Sequence, residues 1–201
     1  AISHIKIMDE TGKEYQLKDA RQKGVSYPGR LVQHYDMDEI ALTLELVFAT
    51  NRTALICETI ENKTQQQKQI HLCWEGTINQ KFGTSDEEPN RFAMGTRLSS
   101  TQTGVKVTFE TIRNRWNYLT SHENCFVIAH DIQVVTTVNE QGNAYQSRTK
   151  NAVFLPAKGS FQTFETHRFT FTAEEAKTEQ KKAAWILQNG ENVFLASANR
   201  W

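Results

Sequence analysis

Apolar and polar residues alternate along residues 40–48 (IALTLELVF), with Leu42, Leu44, Leu46 and Phe48 on one side and Ala41, Thr43, Glu45 and Val47 on the other. Alternation of period two over this length predicts a strand with one face on a core. A helix would scatter the same leucines around its cylinder. Asp36-Met37-Asp38-Glu39 precedes the run and Thr50-Asn51-Arg52-Thr53 follows it. Both are built from residues that bond back to their own backbone, which predicts tight turns. Residues 31–62 therefore read as three strands of a β-meander, and most of the chain repeats this style.

Upstream, residues 4–8 and 14–17 form a hairpin around Asp9-Glu10-Thr11-Gly12, residues 19–23 read as a polar connector, and Tyr27-Pro28-Gly29 marks a bend. Downstream, residues 63–68 are a polar loop. Residues 70–78 predict a strand with Ile70, Leu72 and Trp74 on one face, and residues 79–90 a loop. Strand character returns over residues 91–98, at Val105, Val107 and Phe109, and then over residues 125–130, 132–138, 144–150, 153–155 and 161–172. Residues 111–120 have no clear type, although Ile112, Trp116 and Leu119 could share a core-facing side. Short strands with turns at regular intervals and local returns predict an antiparallel β-sandwich. No repeat of propeller length is visible.

The pattern changes at Thr172-Ala173-Glu174-Glu175, a capping box. Residues 173–188 then carry Ala176, Ala183, Ala184 and Leu187 at helical spacing, and Asn189-Gly190 closes the helix. Residues 192–201 predict a second helix with Phe194, Leu195 and Ala198 on one side. Its apolar pattern stops at Trp201 without a cap, which predicts that the natural protein continues. The resulting division is a sandwich over residues 1–172 and a helical segment over residues 173–201.

Composition narrows the function classes. The chain has 201 residues with 23 Lys plus Arg and 23 Asp plus Glu. Zero formal charge without a basic stripe argues against nucleic acid as a partner. No apolar run is long enough for a membrane-spanning helix, so no membrane partner is expected. Cys57, Cys73 and Cys125 have neither metal-site spacing nor an even count. They read as buried small hydrophobes, with a Cys57–Cys73 bridge as the alternative. His4, His34, His71, His122, His130 and His167 form no metal-binding pattern, and His71 and His167 are expected on a polar face. No nucleophile elbow or phosphate loop is present. No metal and no cofactor is expected.

Two acidic groups, Asp36/Asp38/Glu39 and Asp86/Glu87/Glu88, fall in solvent-facing turns where nothing would raise a carboxyl pKa, so no catalytic residue is nominated. The aromatics are more suggestive. Trp74 and Trp116 lie in the β-rich body, and Arg113 and Arg115 flank Trp116. Such clusters can stack on sugars or hold an interface, which makes Trp116, Arg113, Arg115 and Trp74 candidate substrate-binding residues. Core tryptophans beside surface arginines are the alternative.

Several stretches taken together resemble the N-terminal β-sandwich domain of bacterial α-glucosidases of glycoside hydrolase family 63. They are PGRLVQ (28–33), LVFATNRTAL (46–55), LCWEG (72–76), GVKVTF (104–109), RWNYLTS (115–121), FTAEEAKTEQ (171–180) and FLASANRW (194–201). Their number and order carry the likeness, since no single piece is a catalytic motif. The resemblance implies a super-sandwich that packs against an (α/α)6 barrel of the same polypeptide. That barrel would carry the acid and base of an inverting hydrolysis of α-glucosidic bonds, and residues 173–201 would begin the linker towards it. The chain itself would then be inactive and would support the barrel, with a loop available to line an oligosaccharide pocket. A periplasmic or extracytoplasmic setting follows from the resemblance alone. The competing readings are a free-standing carbohydrate-binding module and a small sandwich enzyme such as an epimerase or lyase.

Overall fold

A computed structural model of the chain describes residues 2–78, 96–109 and 125–200. Its strands are β1 (His4–Asp9), β2 (Glu14–Tyr15), β3 (Arg21–Tyr27), β4 (Arg30–Asp36), β5 (Ile40–Phe48), β6 (Thr53–Asn62) and β7 (Lys68–Thr77), followed by β8 (Thr96–Ser100), β9 (Gly104–Phe109), β10 (Cys125–His130), β11 (Val134–Val138), β12 (Ala144–Thr149), β13 (Val153–Leu155) and β14 (Ser160–Thr170). Two helices close the chain, α1 (Ala173–Gln188) and α2 (Gly190–Ala198). All pairings are antiparallel, in an eight-stranded sheet ordered β3-β4-β5-β6-β14-β10-β9-β8 and a six-stranded sheet ordered β11-β12-β7-β1-β2, with β13 also on β7. The predicted antiparallel sandwich followed by a helical segment is the fold observed.

The meander has four strands rather than three. Residues 19–23, expected as connector, contribute to β3, the edge strand of the large sheet. Its residues are exposed apart from half-buried Val25, so no alternation announced it. β3 turns into β4 through Pro28-Gly29, with Gly29 at φ 73° in the left-handed region a glycine adopts without strain. The Thr50–Thr53 turn is held by its own side chain, since Thr50 Oγ1 accepts from the backbone N–H groups of Arg52 and Thr53 at 3.1 Å each.

Between the sheets, Ile40, Leu42 and Ile60 meet Ile5, Ile7, Ile70, Leu72, Trp74 and Leu155 in one buried cluster. A second inner cluster joins Leu98, Val105, Val107, Ile128 and Tyr145. The outer face of the large sheet is covered by the helices, where Val47, Leu55, Cys57 and Phe164 pack on Ile186 and Phe194. β5 therefore departs from its simple pattern at its far end. Val47, assigned to the polar side, is fully buried under the helices, whereas Phe48, assigned to the apolar side, is 62% exposed. The small sheet covers only part of the inner face.

The capping box forms with one change. Thr172 accepts the N–H of Glu175 at 3.1 Å, and the Glu175 carboxylate reaches back to the N–H of Phe171 at 2.7 Å. Arg52 locks this start to the hairpin turn by bonding Glu175 and lying 4.1 Å above the Phe171 ring. α1 buries Ala183 and Ile186, while Ala184 faces outward. α2 starts directly at Gly190 rather than two residues later, and buries Gly190, Phe194 and Ser197. Leu195, expected inside, is 51% exposed because the buried stripe runs at i, i+4, i+7 from Gly190.

Gly190 permits this docking. A Cβ there would stand 2.5 Å from the Phe164 ring, near the root of a packed core side chain. Gly190→Ala is expected to lower stability by about 1–3 kcal/mol through overpacking. Urea unfolding checks it, and a midpoint equal to that of the parent chain would show that α2 is not seated on Phe164.

Candidate functional site

The chemistry-bearing residues gather on the inner face of the large sheet, where β6, β14 and β10 run side by side. In register, Glu58 lies opposite Thr163, Ile56 opposite Glu165, and Glu165 opposite His130. Strand pleating sends all of these towards the small sheet. Glu58, His130 and Glu165 are each 2% exposed. The indole of Trp74, on β7 of the facing sheet, donates to Glu58 Oε1 at 2.8 Å. Glu165 Oε1 takes hydrogen bonds from the Ser3 hydroxyl at 3.1 Å and from His167 Nε2 at 2.5 Å. The His130 ring stacks on Trp74 with centroids 4.1 Å apart, and neither of its nitrogens has a protein partner.

The two carboxyls settle into different protonation states. Burial and the neighbouring Glu165 charge push Glu58 well above the usual carboxylate range. Burial acts on Glu165 in the same direction, but the charge and hydrogen bond of His167 outweigh it and hold Glu165 below its ordinary value. The pair therefore carries one proton, on Glu58, and one charge, on Glu165. Glu58 Oε2 makes no hydrogen bond of good geometry, although Glu165 is close enough to influence its titration by charge and hydrogen bonding. Burial, aided by His167 and opposed by the Glu165 charge, drives His130 down to about 4, so it is neutral at physiological pH.

Trp74 is 1% exposed and belongs to the core and to this network, where it presents no surface to a sugar. Trp116, Arg113 and Arg115 lie outside the described residues. The acidic turn behaves as a solvated turn, with Asp36 paired to Lys63 at 2.6 Å and Glu39 to Lys68 at 2.7 Å. Asp86, Glu87 and Glu88 lie outside the described residues. The three cysteines are free and buried. The alternative Cys57–Cys73 bridge is ruled out by direction, since Cys57 packs under the helices and Cys73 lies on the small sheet beside the inward-facing Trp74. Burial pushes the Cys57 thiol up to about 11, so it is unreactive. His71 bonds Thr149 at 3.2 Å, but His167 lies on the inner face rather than a polar one, with its ring edge-on to Phe126 at 5.5 Å. The signal for Glu58 was present in β6, where it occupies an inward position between Ile56 and Ile60.

An eight-stranded antiparallel sheet, backed by a smaller sheet on one side and two helices on the other, defines a super-sandwich domain. The family described as the N-terminal domain of the glucosidase YgjK matches residues 1–201, and the chain belongs to that family. It is thus a glycosidase-associated N-terminal domain, which bears out the resemblance drawn from its sequence motifs. Among solved structures, it is similar to a protein described as a kojibiose phosphorylase from the human microbiome. The TM-score is 0.53 at 11% identity, over 98% of this chain and 25% of that one. It is also similar to a polysaccharide lyase, with a TM-score of 0.50 at 8% identity, over 87% of this chain and 26% of that one. These likenesses concern the fold, and the chain spans about a quarter of each of those structures.

The network yields a pH prediction. Glu58 keeps its proton in the folded state above 4.5, where the unfolded chain releases it. At this site the folded state then binds more protons than the unfolded one, so this group's contribution to stability falls as pH rises above that value. Glu58→Gln retains an acceptor for Trp74 and a donor towards Glu165 without a titrating proton. It is expected to raise stability at pH 8 by about 1 kcal/mol, roughly 2–4 °C in Tm, with a smaller gain at pH 5. Thermal melts at both pH values check this, and an equal shift at both would remove Glu58 as the titrating group.

Proposed function

We propose that the chain is the non-catalytic N-terminal domain of an α-glycosidase, supporting an (α/α)6 catalytic barrel in the same polypeptide. The parent would hydrolyse α-glucosidic bonds in oligosaccharides. The observation that carries this reading is the family match over all 201 residues. In it, residues 173–201 form the linker towards the barrel. Arg113, Arg115 and Trp116 are the candidates for lining the sugar pocket.

Two features of the structure support the reading. Glycoside hydrolysis requires two carboxyls that flank a sugar bond. Glu58 and Glu165 are sealed in the core, the first favouring its protonated form and the second its charged form, an arrangement suited to packing rather than to a substrate. The inner face of the large sheet also continues beyond the small one. There Leu31 and Phe48 are 49% and 62% exposed, with Leu46, Ala54 and Ile56 half-buried between them. A contiguous apolar strip of this kind suits the wall of a neighbouring domain. Burial of Trp74 removes one of the two tryptophans that a free-standing carbohydrate-binding module would offer.

The double variant Leu31→Asp/Phe48→Asp tests the assignment. In this chain both positions face solvent, so stability should move by less than about 0.5 kcal/mol. In a longer polypeptide that includes the catalytic domain, the same pair should lower both Tm and the rate of α-glucoside hydrolysis. Unchanged activity there would place the barrel elsewhere. Hydrolysis of an α-glucoside by this chain alone would overturn the reading, and micromolar binding of malto-oligosaccharides to it would favour the binding module.

A further inference from the structure

A groove of about 640 Å³ runs along the outer face of the large sheet, between α1 and strands β9, β10 and β14. Its size is that of a small-molecule site. Arg168 of β14 lies in its floor, 6% exposed, and its Nε has no hydrogen-bond partner. No ion pair engages this guanidinium among the described residues. The groups that act on it through space are Cys125 and then Glu179, whose carboxylate is already bonded by Lys182 at 2.6 Å and approached by Thr50 at 3.4 Å.

A guanidinium stays charged in proteins, and burying one without a partner costs several kcal/mol. Such a group either finds an anion or is a persistent defect. The groove is built for the first outcome. Lys106 on β9 and Lys177 on α1 add two further cations, and no Asp or Glu is among its described lining residues. Neutral hydrogen-bonding groups, including Thr101, Thr103 and Gln180, line the same space. A bare inorganic ion would leave most of that volume and most of those groups unused.

We propose that this groove binds a small sugar derivative bearing one oxyanion, either a sugar acid or a sugar phosphate. Arg168 takes the oxyanion through its planar fork, Lys106 and Lys177 add long-range attraction, and the threonine and glutamine side chains meet the hydroxyls. The site lies on the opposite face of the sheet from Glu58 and Glu165. It does not depend on the glycosidase assignment, and its test fails independently of that one.

Calorimetric titration of the chain with glucuronate, glucose 6-phosphate, glucose and inorganic phosphate tests the proposal. Glucuronate or glucose 6-phosphate is expected to bind in the micromolar to millimolar range, and glucose not at all. Tighter binding of glucuronate assigns a carboxylate ligand, and tighter binding of glucose 6-phosphate a phosphate. Arg168→Met should weaken binding about tenfold or more, with partial recovery in Arg168→Lys. Lys177 is exposed on α1, so Lys177→Ala keeps the fold and should still weaken binding several-fold. The proposal is overturned if neither anionic sugar binds, if inorganic phosphate binds as tightly as both, or if affinity is unchanged in Lys177→Ala and in a folded Arg168 variant.

Discussion

The constraint on which this structure turns is that β6 and β14, at the middle of the large sheet, are covered on both faces. Along β14, Thr163 and Glu165 point into the sandwich, while Phe164, Thr166, Arg168 and Thr170 point towards the helices, and all six are buried. A strand in this position cannot place its polar residues in water. Each must find a partner within the protein or in something bound to it. Glu165 finds His167 and Ser3, Thr163 finds Asp131, and Thr170 finds Cys125. Among the described residues Arg168 finds none for its Nε, which sets it apart from its neighbours on the same strand.

The inner network shows how a core tolerates two carboxyls. Two adjacent buried charges would cost several kcal/mol each, so one carboxyl keeps its proton and the other is held by His167. The bond from Trp74 to Glu58 crosses between the sheets, as does that from Ser3 to Glu165. Apolar contacts alone would allow the small sheet to settle in several positions over the large one. These directional bonds favour the arrangement that satisfies them, and a slip of one residue would leave a carboxyl and an indole unpaired in the core.

The sheet architecture was legible because its signals are local. The alternation in β5, the Pro28-Gly29 bend and the Thr172–Glu175 capping box each specify structure within a few residues. β3 was missed because an edge strand with two solvated faces carries no alternation. Val47 and Phe48 were misassigned because the alternation in β5 does not say how far each covering layer extends along the strand. The inner network was illegible for a different reason. Glu58, Trp74, His130 and Glu165 come from four separate strands and meet only through cross-strand register and sheet stacking. The one local clue, an acidic residue in the apolar register of β6, looks in isolation like an ordinary polar strand position.

The partial cover of the inner face connects the core to the proposed role. Where the small sheet overlies the large one, Leu42 and Ile60 are fully buried. In the same register one end of the sheet remains uncovered, and there Leu31 and Phe48 meet solvent. The domain gains little from apolar side chains it leaves in water, so their presence is not explained by its own stability. The helices cannot cover them, because α1 and α2 are committed to the outer face by Ile186, Phe194 and the Arg52–Glu175 contact. An apolar strip that neither layer of the domain can reach is best accounted for by a surface outside it. In the role proposed above, a neighbouring domain of the same polypeptide would supply such a surface, on the side of the large sheet opposite the Arg168 groove.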